Sequence, residues 1–209
     1  MNYELDAGQA RKADQRGGMI NETGKYIGRI TRAEDITTDK GTKGIDFSFV
    51  SRDNAKTRFA LYTEKKDGTR IGIGHAFVMA LMTCLKVRSI KPTEQKVKKW
   101  DADANAEVET VALCYADLMN KEVGLLFEAE EYEKTAGGVG KRMVLAGVFQ
   151  AQSELTASEV LDQKVKPEQL AKMVASLRDR PLKTNRARAT APAGGGDSGA
   201  GFADDDIPF

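Results

Sequence analysis

The chain contains little of the chemistry on which many enzyme and scaffold classes depend. Its 209 residues include two cysteines, Cys84 and Cys114, and a single histidine, His75. This set cannot form a zinc finger, and a secreted disulfide scaffold would be richer in cysteine. The longest wholly apolar run covers residues 76–82, whereas a helix needs roughly 20 residues to cross a bilayer. We therefore expect neither a membrane-spanning nor a secreted protein, and a reducing, cytoplasmic setting fits best.

An excess of charge of one sign is also lacking. The 32 Lys and Arg residues nearly balance the 31 Asp and Glu residues, so that the net charge is +1. Bulk charge therefore does not indicate a polyanionic partner. The acidic residues are partly segregated, however, because residues 204–206 are three consecutive aspartates. Without those three negative charges the net charge of +1 becomes +4.

The motifs that would carry catalysis are incomplete. Residues 137–141 read Gly-Gly-Val-Gly-Lys, but a Walker phosphate loop needs Gly where Thr135 stands and Ser or Thr where Arg142 stands. His75 has no Ser or Cys nucleophile in a recognisable motif, and no pair of carboxylates indicates a metal-binding or acid–base couple. We predict no catalytic residue, no metal and no cofactor. The enzyme alternative is a divergent metal-dependent nuclease.

The hydrophobic pattern predicts five strands and a buried helix. Alternation of apolar and polar residues predicts three successive strands, and apolar residues at offsets of three and four then predict a helix before two further strands. The strands are predicted at Tyr26–Ile36, Ile45–Arg52, Thr57–Lys65, Val123–Tyr132 and Arg142–Gln150, and the helix at His75–Val87. The polar residues 88–107 between the helix and the fourth strand are interpreted as an inserted excursion.

The two ends differ from this central region. Residues 1–22 are predicted to form a polar N-terminal arm, with helix favoured near residues 9–15. Residues 151–180 are predicted to form a helical extension with helices at Ala157–Gln163 and Pro167–Arg180. Of the 23 residues 181–203, 13 are Gly, Ala or Pro, a composition typical of a flexible linker. The linker leads to residues 204–209, the acidic tip.

Three strands, a helix and two strands form the order of a five-stranded oligonucleotide-binding (OB) barrel. We therefore predict a mainly β fold with an OB barrel over residues 23–150, peripheral helices and a disordered C-terminal tail. The groove of such a barrel lies over strands two and three, between the loops that join strands one and two and strands four and five. Both loops are basic in this sequence: Lys40 and Lys43 lie in the first, and Lys134, Lys141 and Arg142 in the second.

Two segments resemble a known family. The ending Asp-Asp-Asp-Ile-Pro-Phe resembles the acidic tip of bacterial single-stranded DNA-binding proteins. The body, including residues 23–30, 40–45 and 80–84, is similar to bacteriophage single-stranded DNA-binding proteins with a divergent OB fold. This resemblance implies non-catalytic, sequence-independent binding of single strands during phage DNA replication, recombination or repair, in the host cytoplasm if the protein is phage-encoded.

The resemblance also implies how partners are recruited. Replication or repair proteins would bind the tip through its acidic and apolar side chains, Asp204, Asp205, Asp206, Ile207, Pro208 and Phe209. The helical extension departs from the compact bacterial domain, so the sequence leaves open whether the chain forms a homo-oligomer. Two other functions are compatible with the sequence. One is a single-strand annealing protein for recombination, and the other is an adaptor that binds no DNA and acts through its tip alone.

A groove for single strands needs cations for phosphates and aromatic faces for bases. Phe59 and Leu61 share one face of their predicted strand, so Arg58 and Tyr62 share the other. The predicted DNA-binding residues are Lys40, Lys43, Arg58, Tyr62, Trp100, Lys134, Lys141 and Arg142. Tyr62 is either a stacking platform or a packed residue. Trp100, beside two lysines, either stacks on bases or anchors the excursion to the body.

Overall fold

The computed structural model describes Leu5 and residues 18–101, 106–134 and 137–182. These residues form one antiparallel sheet of seven strands with three α-helices and a short 3-10 helix. The strands are β1 (Gly24–Thr37), β2 (Lys43–Ser51), β3 (Lys56–Glu64), β4 (Thr93–Asp101), β5 (Ala106–Cys114), β6 (Glu122–Glu133) and β7 (Val139–Phe149). The helices are α1 (Gly72–Cys84), α2 (Ala157–Leu161) and α3 (Gln169–Ser176), and the 3-10 helix is Ala116–Leu118. The prediction of a mainly β protein is confirmed, but the sheet is not closed into a barrel.

The predicted number of strands is wrong. The five predicted strands correspond to β1, β2, β3, β6 and β7, but the supposed excursion at residues 88–107 contains β4 and the start of β5. These two strands form a regular antiparallel hairpin in which Lys98 pairs with Glu109. Val97 is buried while its neighbours Lys96 and Lys98 are exposed. One buried apolar residue among lysines is too weak an alternation to indicate a strand.

Strand β1 organises the sheet, because three other strands pair with it. One edge of β1 pairs with β2, and β2 pairs with β3. The other edge is shared, since residues 24–29 pair with β6 whereas Glu34 pairs with Cys114 of β5. The register between β1 and β2 shifts between Ile30 and Arg32, and this shift lies between the part of β1 that pairs with β6 and the part that pairs with β5. Strand β7 pairs with β6 and approaches β3, but no ladder joins β7 to β3 in the described part of the chain.

The core lies against one face of this sheet. Phe47 and Phe59 stack with ring centroids 4.9 Å apart, and Phe127 meets Phe59 edge-on at 5.2 Å. Phe47 and Phe127 are fully buried, as are the apolar side chains of α1 that face them, such as Leu81. Helix α1 can pack this closely because Gly74 lies at its first turn. A Cβ at position 74 would lie 1.8 Å from the carbonyl oxygen of Tyr62.

The C-terminal helices are shorter than predicted. Helix α3 ends at Ser176 rather than Arg180, and the following residues extend along β6. There the Arg180 N–H donates to the carbonyl of Ala129, and the Arg180 carbonyl accepts from the N–H of Glu131. Backbone pairing with β6 therefore replaces the last predicted helical turn.

Three sequence predictions fall outside the described residues: the helix near residues 9–15, the linker beyond Leu182 and the tip at residues 204–209. Within the residues that the structure does describe, no helix is both long and apolar enough to span a bilayer.

Candidate nucleic-acid interface

The face of β1, β2 and β3 that points away from the core is polar. We call it the polar face and define it by Arg32, Glu34, Asp46, Arg58 and Tyr62. The strand register puts Glu34 opposite Asp46, and it puts Ser48 of β2 between Arg32 and Arg58. Arg58 and Tyr62 thus lie on the same side of β3, as the alternation predicts, while Phe59 and Leu61 are buried on the other side.

A buried carboxylate fixes the position of Arg58. Asp46 is 2% exposed, and its two oxygens accept from Nε of Arg58 at 2.8 and 2.9 Å. Nη2 of the buried Arg32 donates to the same carboxylate. A buried charge needs such partners, because burying it unpaired is costly. The Arg58 side chain nevertheless remains 71% exposed, so that its guanidinium is held in place while it faces water.

The edge of the sheet formed by β7 supplies a second arginine. Arg142 lies within β7, as the predicted strand Arg142–Gln150 has it, and Lys141 also lies in β7 rather than in the predicted loop. Nε of Arg142 donates to Glu130 of β6 at 2.6 Å, and its guanidinium lies 5.8 Å from the ring centroid of Tyr132. Tyr132 packs over Gly140, where a Cβ would approach the ring to 2.6 Å. Glycine at position 140 therefore lets the tyrosine ring lie close to the backbone of β7.

Arg58 lies on β3 and Arg142 lies on β7, and these two strands approach each other. Burial raises the pKa of the Tyr62 hydroxyl and Asp46 raises it further, whereas the charges of Arg58 and Arg142 lower it. Tyr62 therefore lies within electrostatic range of both arginines. We call Arg58, Tyr62, Tyr132 and Arg142 the seam cluster. It brings together three of the predicted residues and adds Tyr132, which the sequence analysis missed.

The four predicted lysines do not join the seam cluster. Lys43 opens β2 and forms an ion pair with Glu64 at 2.7 Å, and Lys40 is exposed in the turn just before it. Lys134 is exposed at the opposite end of β6 from the β1 pairing. Lys141 is exposed, but it is the neighbour of Arg142 in β7, so the two side chains point to opposite faces of the sheet. The lysines therefore lie around the cluster rather than within it.

Trp100 does not anchor the β4–β5 hairpin through burial, because its side chain is 64% exposed. It shares the outer side of β4 with Lys96 and Lys98, whereas Val97 is buried on the inner side. The hairpin joins the sheet through the pairing of β5 with β1, and two ion pairs add to this pairing. One joins Lys99 to Glu34, and the other joins Nζ of Lys56 to Glu107 at 3.1 Å. The exposed indole gives no support to the anchoring interpretation of Trp100.

The two cysteines are enclosed in the protein. Cys84 and Cys114 are both buried, and burial raises the pKa of the Cys84 thiol to about 12. In the part of the chain that the structure describes, no cluster of three or more His, Cys, Asp or Glu side chains could hold a metal ion.

No protein-family model and no curated protein sequence matches this chain.

Proposed function

We propose that the chain binds single-stranded DNA without sequence preference, protects it during replication, recombination or repair, and recruits partner proteins through residues 204–209. The seam cluster carries this proposal, because it offers two tyrosine rings and two guanidinium groups at the meeting of two strands. Base stacking on aromatic rings tolerates any sequence, since every base has a π-face. Arginine matches phosphate geometry with two parallel hydrogen bonds.

The strand order supports the same proposal. The path β3-β2-β1-β6-β7, with α1 between β3 and β6, has the order of an OB barrel opened between its third and last strands. On this interpretation the β4–β5 hairpin is an insertion between the helix and the fourth barrel strand. The OB groove lies over the second and third strands, which is where Arg58 and Tyr62 lie.

The carboxylates beside the arginines set the expected strength of binding. Arg58 forms an ion pair with Asp46, and Arg142 forms one with Glu130. Phosphate groups must compete with these internal partners, so each arginine gains less than an unpaired one would. We therefore expect affinity to come from stacking as well as charge, with a log–log salt slope of about −0.7 for each phosphate contact.

The test is a set of matched variants in titrations with oligo(dT), duplex DNA and RNA. Tyr62→Ala should weaken binding to oligo(dT) by about 1 to 3 kcal/mol, whereas Tyr62→Phe, which keeps the ring, should bind almost normally. Arg58→Ala should reduce the salt slope by about 0.7. The control is Arg52→Ala, because Arg52 is also exposed and paired with one carboxylate, Glu122, but lies in the β2–β3 turn.

Two results would contradict the proposal. The first is equal affinity for single strands and duplex, and the second is equal loss of binding in Arg52→Ala and Arg58→Ala. Removal of residues 204–209 tests the other half of the proposal. It should leave binding of oligo(dT) intact, slightly tighter at low salt, while association with replication or repair proteins is lost.

A further inference from the structure

Residues 177–182, which follow α3, run along one edge of β6, and we call them the C-terminal strap. Strand β7 pairs with one edge of β6, whereas β1 pairs with the other edge only as far as Phe127. The strap continues on this second edge, where Arg180 pairs in parallel with Glu130. Two backbone hydrogen bonds of 2.9 Å fix Arg180 in this position. The place of Arg180 is therefore set by the sheet.

The register brings three charged residues of neighbouring segments into one row. Glu130 lies opposite Arg142 of β7 on one side and opposite Arg180 of the strap on the other. Oε2 of Glu130 accepts from Nε of Arg142 at 2.6 Å, and Oε1 lies 3.9 Å from Nη1 of Arg180. Because one carboxylate faces both guanidinium groups, these groups lie on the same face of the sheet. Adjacent strands are about 4.8 Å apart, so the backbones of the two arginines are separated by about 10 Å.

Arg180 is fixed in the same manner as the arginines of the seam cluster. Its Nε and Nη2 both lie 2.7 Å from Oε2 of Glu128. The Arg180 side chain is nevertheless 48% exposed, compared with 30% for Arg142. A guanidinium has five N–H donors, so those that the glutamates leave free can bind a phosphate. Glu128 and Glu130 each lie beside an arginine, and this proximity reduces their repulsion of a phosphate.

We propose that Arg180 is a further phosphate-binding residue, and that the bound single strand of DNA runs across the β-strands, from β3 over β7 and β6 to the strap. The inference rests on the proposed function and adds one residue and a direction to it. Arg58, Arg142 and Arg180 follow one another in this direction, since β3 approaches β7 and β7 pairs with β6. Tyr132 lies beside Arg142 on this path and can stack a base there.

The first test compares two arginines of the strap. Arg178 is also exposed, but its Nη1 donates to the carbonyls of Ala175 and Leu177 at the end of α3. Arg180→Ala and Arg178→Ala therefore remove the same charge from positions two residues apart. Arg180→Ala should weaken binding of a long oligo(dT) by about two- to fivefold at low salt and reduce the salt slope by about 0.7. Arg178→Ala should leave both quantities nearly unchanged.

A second variant separates a contact with DNA from a structural ion pair. Glu128→Gln breaks the same ion pair from the other side and leaves the guanidinium of Arg180 in place. It should tighten binding, because phosphate no longer competes with Glu128. This gain should be smaller when Glu128→Gln is combined with Arg180→Ala, so that the double-mutant cycle isolates the arginine from the general effect of charge. Melting temperatures establish that each variant is folded.

Oligonucleotide length tests the direction of the bound strand. An oligo(dT) of about four nucleotides, the smallest site size of an OB fold, can occupy the seam cluster without reaching the strap. The defect of Arg180→Ala should therefore shrink as the oligonucleotide is shortened to this length. A defect that is the same at every length would contradict the proposed direction.

The outcomes separate the two proposals. If wild type and Arg180→Ala bind long oligo(dT) with equal affinity and equal salt slope, the inference is overturned and the proposed function stands. Equal losses in Arg178→Ala and Arg180→Ala, or in Glu128→Gln and Arg180→Ala, also overturn it, because general charge or the structural ion pair then explains the effect. If wild-type protein binds no single strand at all, the proposed function itself fails.

Discussion

Glu159 provides a stability test whose magnitude follows from four hydrogen bonds. Its carboxylate is 1% exposed and lies between α2 and the start of α3. It accepts from the N–H and hydroxyl of Thr156 at 2.9 and 3.0 Å, and from the N–H groups of Glu168 and Gln169 at 2.6 and 2.8 Å. Burial alone raises the pKa of Glu159, but these donors outweigh burial and lower the pKa to about 2.

The pKa gives the size and sign of the effect on stability. A decrease from the ordinary value of 4.5 to about 2, at about 1.4 kcal/mol per unit, corresponds to about 3 kcal/mol. Because the folded pKa is the lower one, this stability is complete at pH values well above 4.5 and is lost as pH falls towards 2. The glutamine in Glu159→Gln cannot be ionised, so this variant should lack the stabilisation already at neutral pH. Its unfolding free energy should then fall little further, as far as this site is concerned, when the pH is lowered.

The assay is urea unfolding followed by far-ultraviolet circular dichroism from pH 7 to pH 3. The difference in unfolding free energy between wild type and Glu159→Gln should be about 3 kcal/mol at pH 7 and should shrink steadily in acid. Glu168→Gln is the control, because Glu168 is exposed and its side chain pairs with Lys164 on the surface, so that its replacement should change stability little. A difference for Glu159→Gln that is independent of pH would refute the reasoning.

Three further predictions concern the thiols, the core and the hairpin. Cys84 and Cys114 should not react with a thiol reagent at neutral pH until the protein unfolds, and rapid modification of the native protein would contradict their burial. Gly28→Ala should destabilise by at least about 2 kcal/mol in thermal unfolding, since its Cβ would lie 2.1 Å from the Val50 carbonyl oxygen, whereas Gly72→Ala, with nothing within 4 Å, should not destabilise. Addition of oligo(dT) should quench the fluorescence of Trp100 if bases stack on it, and unchanged emission at saturation would exclude Trp100 from the DNA track.

Local alternation was enough to predict the strands that bury large apolar side chains. In β2 and β3 every second residue points into the core, so Phe47, Phe49 and Phe59 identify both the strands and their inner face. The same alternation places Arg58 and Tyr62 on the polar face without any knowledge of the partner strands. Such predictions succeed because side-chain direction in a strand depends only on the residue's position in that strand.

Features that depend on pairing between distant segments could not be predicted in this way. Tyr132 and Gly140 are opposite each other only because of the register between β6 and β7, and β7 approaches β3 although β2, β1 and β6 lie between them in the sheet. The β4–β5 hairpin joins the sheet through the pairing of Cys114 with Glu34 and through the ion pairs of Lys99 and Lys56, not through an apolar stripe of its own. Sequence periodicity contains no signal for contacts of this kind.

The seam cluster also shows how a net charge of +1 is compatible with the polyanionic partner that we propose. Salt screens the attraction between a protein's net charge and DNA at distances beyond about 10 Å. A guanidinium that is already oriented can still bind a phosphate that comes into contact with it. Asp46 and Glu130 hold Arg58 and Arg142 in place, so little side-chain entropy remains to be lost when a strand binds. The cost is reduced net charge at the site, and the tyrosine rings offset it with stacking that does not depend on salt. A chain with balanced charges can therefore bind DNA if two of its guanidinium groups are fixed beside aromatic rings.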